Sequence, residues 1–385
     1  MTDEGVTTTF YADVDGDIYG VTAMAMMACA MPTGLGGATA NASTSSVVLL
    51  PNASGFIAVY TTAGGIFART FGAATGSGTP VLVTATVPTA FDAATNGDDL
   101  IVAWSEYDPS ASRLSARRFV ASTLVPYAGA MLLNTSTKFT VFAEIAMAMT
   151  STQVLIAASQ PSAIGFTRCT NTLASVVSGT IRSTADDDRP KLDLVVDRAT
   201  SERLLAFENG GALTVQFVSS AGATVGIASP LGAAGGSEVA VAPSANSSAP
   251  GILGAAWIEG TTARFETLSG SGFGASRTPV IRSCPTNIRT GVRVVGGTAP
   301  LLDPIGLASS GGRWHVSSFD GTSAAAARAE LGTSVTGDGT AAPAFTFYSS
   351  PDPTGTSRRA TAVMGTAGNR VLLASETTVW RVGCP

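Results

Sequence analysis

The sequence predicts an all-β chain: a seven-bladed β-propeller of four-stranded antiparallel blades, with the last blade completed by the N-terminal segment. Three observations predict it. A pair of short apolar strands recurs along the chain with a period of about 40 to 50 residues, the range of propellers and solenoids. The 385 residues exceed the roughly 250 to 300 at which a single core stops growing, so the chain is modular. Helix signals are almost absent, with Ala324–Leu331 offering one short turn.

The paired strands set the register of the repeat. Phe56–Tyr60 is followed by Ile66–Phe71, and Leu100–Trp104 by Leu114–Phe119. A third pair ends at Ala158 and Cys169, a fourth at Phe207 and Val218, and a fifth at Trp257 and Leu268. In four of these five copies the two strand ends lie eleven residues apart. The second strands are nearly continuous in apolar residues, as expected of strands covered on both faces. Their terminal rings, Tyr60, Trp104, Phe207 and Trp257, are expected to pack between neighbouring sheets. Ala58, Ala103, Ala157 and Ala255 suit the crowded region nearer the axis.

Seven units follow, over 45–86, 87–136, 137–184, 185–233, 234–297, 298–340 and 341–385. The sixth fits the template loosely. The seventh has room for three strands only, so a fourth is expected from residues between about 20 and 46. The same shortage admits exchange of that strand between copies and growth of a homopolymer. Residues 1–44 are therefore assigned to an acidic segment plus the closing strand, and 45–385 to the propeller.

Composition narrows the function. Charged residues make up 13% and mean hydropathy is +0.31, so the chain can bury a large core. A net charge of −5 argues against nucleic acid, which needs a dense basic stripe. No stretch reaches the 18 to 20 consecutive apolar residues of a membrane span, roughly. Residues 21–32 are apolar, but Asp3, Glu4, Asp13, Asp15 and Asp17 precede them and no Lys or Arg does. A secretory leader begins with positive charge, so a leader, if the protein is exported, lies outside this sequence. Cys29, Cys169, Cys284 and Cys384 are too dispersed for a zinc knuckle. Cys169 takes a core position of the repeat, and Cys29 and Cys384 would meet if the ring closes; connectivity stays open.

The most specific motif is Phe10–Gly20, in which Asp13, Asp15 and Asp17 alternate around Gly16. Short carboxylates at every second position can wrap a hard cation such as calcium, which takes six to eight oxygens. With Tyr11, Tyr19-Gly20, Cys29, Pro32 and Gly34, the string resembles the Asp-rich metal-binding repeat of bacterial surface proteins, the MopE type, itself similar to thrombospondin type 3 calcium repeats. It departs from that pattern at Ile18 and lacks the acidic stretch that normally follows. The resemblance implies Ca2+ held by Asp13, Asp15 and Asp17 and an extracellular or cell-surface setting in a bacterial envelope. The alternative is a solvated acidic turn. The strand repeats also resemble, in general style, propellers of large secreted bacterial proteins, most clearly at Trp104 and Arg117-Arg118-Phe119.

Other candidates are weaker. Asp186-Asp187-Asp188-Arg189 reads as a solvated loop. Ser318–Thr322 and Ser350–Thr356 are similar to the Asp-box turn of sialidase propellers without its spacing. His315, the single histidine, cannot build a multi-histidine metal site. Of Glu106, Glu144, Glu208 and Glu259, three closely follow the second strand of a blade; repeated acids there would line one face of the ring, or simply face solvent. No G-x-S-x-G, H-E-x-x-H or phosphate-cradling glycine motif occurs, so no catalytic residue is assigned and no enzyme is expected. The expected function is an exported or surface-displayed, non-catalytic binding or adhesion scaffold for a glycan or surface protein. The alternatives are a structural subunit of a surface filament or layer, and a carbohydrate-active propeller enzyme.

Overall fold

The computed structural model describes residues 47–290 apart from short breaks, together with strands at 10–11, 25–26, 30–37, 305–310, 313–319, 327–336, 345–351, 361–364, 370–375 and 378–383. All the regular structure described is β. Sheets form in chain order over 47–84, 90–136, 145–183, 192–231, 236–290, 305–351 and 361–383. All pairings are antiparallel and nearly all join consecutive strands, so each of the first six sheets is one compact stretch of sequence. Where a short turn was expected near Ala324–Leu331, the strand Ala327–Thr336 runs instead, because pairing with Arg313–Phe319 outweighs a local helical preference.

The seven four-stranded blades expected from the sequence are corrected to five. The five blades over 47–290 carry the paired-strand signature and pack face to face through described cores. The fifth also breaks the four-strand template: Thr278–Ile281 and Thr286–Thr290 both pair with its third strand. The extension to seven rested on strand-like stretches beyond residue 298 that lack the eleven-residue spacing. A strand pattern becomes a blade only by burying both faces against neighbours, and that cannot be counted from propensity. The two later sheets adjoin the five-bladed body: Leu307, Trp314 and Val316 cover the far face of blade five. The last sheet takes Ala30–Gly37 of the same chain against Thr378–Gly383. Its first strand, Thr361–Met364, lies beside that of blade one, Val47–Asn52.

Packing follows from alternation. In the second strand of blade two, Leu100, Val102 and Trp104 turn to blade one, while Ile101 and Ala103 turn to blade three. Tyr60, Trp104, Phe207 and Trp257 are all at most 3% exposed, and Ala58, Ala103, Ala157 and Ala255 are fully buried. Each large ring contributes roughly 1.5 to 3 kcal/mol of apolar burial. Gly254 keeps a neighbour close: a Cβ there would lie 2.6 Å from the Trp314 ring. That indole in turn meets Phe265 with centroids 5.5 Å apart.

Two devices recur. Third and fourth strands slip register five residues before the end of the third-strand motif in four blades, at Ile66/Phe67, Leu114/Ser115, Ile164/Gly165 and Ala263/Arg264. Such bulges increase local twist, which a radial stack of sheets requires. First strands form the inner sheet edges and leave backbone N–H groups without ladder partners. In blade two, Asp92 accepts from its neighbour Ala93 at 2.8 Å and from Met147 of blade three at 2.7 Å. In blade four, Asp193 accepts from Leu194 and from Val241 of blade five, both at 2.8 Å. One buried carboxylate thus ties two inner edges together.

Candidate functional site

Antiparallel order sends the ends of second strands and the starts of first strands to the same end of every blade. Glu106, Glu208 and Glu259 close second strands, and Glu144 precedes a first strand, so the structure places all four at this end. It does not leave them as a bare acidic ring. The Trp104 indole N–H donates to Glu106 Oε1 at 2.6 Å. Glu259 is paired with Arg264, whose Nε lies 2.8 Å from Oε2 and whose Nη2 donates to Oε1 at 3.0 Å. Glu144 is pinned through its backbone: its N–H donates to Ser159 Oγ and its carbonyl accepts from Ser159 N–H. Glu208 is half-buried opposite Leu213.

Asp13, Asp15 and Asp17 lie outside the described residues, as do Asp186–Asp188, Cys29, Cys284 and Cys384. His315 lies on the strand Arg313–Phe319, as expected. Cys169 is 2% exposed in the core between blades two and three, a free thiol pushed up to about 11 by burial. Among the described residues, no group of three His, Cys, Asp or Glu is placed to hold a metal ion. No helix among them is long and apolar enough to cross a membrane.

Two features escaped the sequence reading. The first is an apolar rim at the outer edge of blades one and two. Leu82, Val125, Tyr127, Met131 and Leu132 are each between 40% and 56% exposed. Leu132, opposite Ser115, shares the sheet face of Arg117, which donates from Nε to the Ala128 carbonyl at 3.1 Å and from Nη1 to the Val83 carbonyl at 2.9 Å, whereas Met131, opposite Ala116, lies on the other face. The Arg117 guanidinium also lies 5.3 Å from the Phe119 ring centroid. Among the described residues, the acceptors of Arg117 are carbonyl oxygens, so it brings a positive charge with no carboxylate bonded to it. By contrast Arg118 sits 4.0 Å over the Tyr127 ring and is neutralised by Asp99. The outer strand here, Met131–Ser136, is a sheet edge with no charge or proline along it, the guards that usually blunt such edges. The run Met131-Leu132 after a Gly-Ala turn was the available signal.

The second feature is Glu266, on the third strand of blade five. It is 2% exposed, and its Oε2 has no hydrogen-bond partner. Burial pushes this carboxyl up to about 7, with Arg264 opposing the rise and Glu259 adding to it.

No family model matches the chain, and no curated protein matches it. Solved structures do. The β-propeller domain of Myceliophteria thermophila Cps50 (Swd1) aligns with a TM-score of 0.53 at 9% identity, over 89% of this chain and 99% of that one. Kuenenia stuttgartiensis hydrazine synthase aligns with a TM-score of 0.52 at 12% identity, over 97% of this chain and all of the other, 100%. At such identities the likeness concerns the fold alone. With the radial antiparallel sheets, it identifies the architecture as a β-propeller.

Proposed function

We propose that the chain is a non-catalytic binding scaffold whose outer rim at blades one and two docks a protein partner. The observation that carries this reading is the run of exposed apolar residues along the outer edge of blade two, Val125, Tyr127, Met131 and Leu132, at an unguarded sheet edge. Isolated exposed apolar residues are ordinary, whereas a contiguous patch marks an interaction surface. Extended segments add to such edges through backbone hydrogen bonds, with side-chain pockets giving selectivity. Further support comes from the loop end: Glu106 and Glu259 are each taken up by groups of their own blade. A carbohydrate-active site instead needs two carboxylates from different blades about 5 to 10 Å apart in a cleft.

A photoreactive residue at position 131 tests the reading in cells that make the protein. One partner should crosslink, and Leu132→Asp should abolish it while leaving the fold intact. Turnover in a broad glycoside and hydrolase screen, or a partner insensitive to Leu132→Asp, overturns it. A finer part of the proposal is an extracellular or cell-surface setting with calcium held by Asp13, Asp15 and Asp17, which rests on the Asp-rich resemblance alone. Calcium should then raise Tm of the chelator-treated protein, and Asp15→Asn should remove that rise.

A further inference from the structure

Counting two residues back from the end of each third-strand motif gives one equivalent position per blade: Arg69, Arg117, Thr167, Gln216 and Glu266. In the first four blades this side chain bonds to its own blade's fourth strand or to the residues just before it. Arg69 Nε donates to the Gly78 carbonyl at 2.6 Å, and Arg117 to that of Ala128. Thr167 Oγ1 bonds Ser178 Oγ at 2.9 Å. Gln216 Nε2 donates to the Val225 carbonyl at 2.7 Å. Three of the four are donors to backbone oxygen. Blade five places a carboxyl there, and an ionised carboxylate can only accept.

We infer that Glu266 is held as the neutral acid, standing in for the donors of the other blades, and that its ionisation loosens the outer edge of blade five. Three observations carry this. The side chain is almost wholly buried with an unpartnered oxygen, and an ion in that state costs far more than a neutral acid. The fourth strand is divided at this point, with Leu268 opposite Ile281 and Phe265 opposite Thr286, so Glu266 and Thr267 face neither piece. Among the described residues, the surroundings supply almost no compensating charge; residues 282–285, between the two pieces of the fourth strand, lie outside them. Glu266 is the cross-strand partner of Ala255 and points toward blade four, whose facing side presents Leu213, Val215, Phe217, Val225 and Leu231 together with two further acids, Asp193, which is bonded to Val241 N–H, and Glu208. On its own sheet face stand Arg264, already committed to Glu259, and Trp257. The outer strand pieces contain one charged residue, Arg289, placed opposite Ala263. Raised pH therefore removes the proton to solvent and leaves a buried anion that the junction of blades four and five accommodates only by opening.

Hydrogen exchange of peptides covering 262–271 and 278–290, measured from pH 5 to 9 and corrected for intrinsic rates, tests the inference. The wild type should lose protection above pH 7 by about tenfold per pH unit. Glu266→Gln, a neutral donor like Gln216, should stay protected across the range. Equal pH dependence in the two proteins overturns the inference. If the variant does not fold, infrared spectra of the wild type decide: a carboxylic-acid C=O band at pH 6 that is lost by pH 9 supports the inference, and its absence at pH 6 overturns it. Neither readout depends on the scaffold proposal.

Discussion

Blades two and five each carry Trp-x-Glu toward the end of their second strand, and the two copies are wired differently. In blade two the unit closes on itself, with the Trp104 N–H on Glu106. In blade five Arg264 draws Glu259 away, and the buried Trp257 Nε1 has no hydrogen-bond partner. Gly232, at φ +64°, allows the chain to approach both groups; a Cβ would stand 2.9 Å from Trp257 Nε1 and from Glu259 Oε2. The third strands explain the divergence. Residues 114–119 carry Ser115 and Arg117 where 263–268 carry Arg264 and Glu266. A motif three residues long thus has no intrinsic hydrogen-bond pattern; the neighbouring strand decides which pairs form.

Several substitutions would break or sharpen this comparison. The largest effect is shared: Trp104→Ala and Trp257→Ala should each cost about 3 to 5 kcal/mol in denaturant unfolding, since both rings fill sealed interblade sites. A clear difference between them would mean that one junction relaxes into its cavity.

Next comes pH, which should affect blade five. Glu266 has its folded value raised to about 7 from 4.5, so its proton is held more tightly in the folded chain. The associated stability is fully present below pH 4.5 and is lost as pH rises through 7, by at most about 3 kcal/mol. Thermal unfolding of Glu266→Gln should lack this decline.

Asp92→Ala and Asp193→Ala should follow, each losing about 1 to 3 kcal/mol as two inner-edge N–H groups lose their acceptor. Exchange should rise at Met147 in the first variant and at Val241 in the second. The smallest effect discriminates best. Trp104→Phe should cost about 1 to 2 kcal/mol by removing its bond to Glu106, whereas Trp257→Phe removes a donor that bonds nothing and should be near neutral. Equal costs would show that the two Trp-x-Glu units are energetically alike after all.

The blades with the sharpest sequence periodicity were read most accurately. The eleven-residue spacing between Tyr60 and Phe71, or Trp257 and Leu268, reports strand pairs whose alternation is enforced by burial on two faces. Beyond residue 298 that spacing lapses, and the expected seven blades give way to five. The acidic strand ends are legible, but their engagement is not: Trp104 meets Glu106 along one strand and Arg264 meets Glu259 across two, and which pair forms depends on the neighbouring side chains. Asp92 and Asp193 are single charges inside apolar runs, and their partners Met147 and Val241 stand on neighbouring blades. The rim at Leu82 and Leu132 joins residues 50 apart in sequence, and only the guanidinium of Arg117 between two blades reveals it.

By itself the sequence determined that this chain is all-β and built from repeated antiparallel sheets, since period-two alternation and strand spacing are local properties of a chain. Tertiary structure decided how many blades interlock, which buried acids find partners, and where apolar surface stays open. Those outcomes depend on which sheet faces which, and hydrogen bonds and burial between blades are set by neighbours that no local stretch of sequence contains.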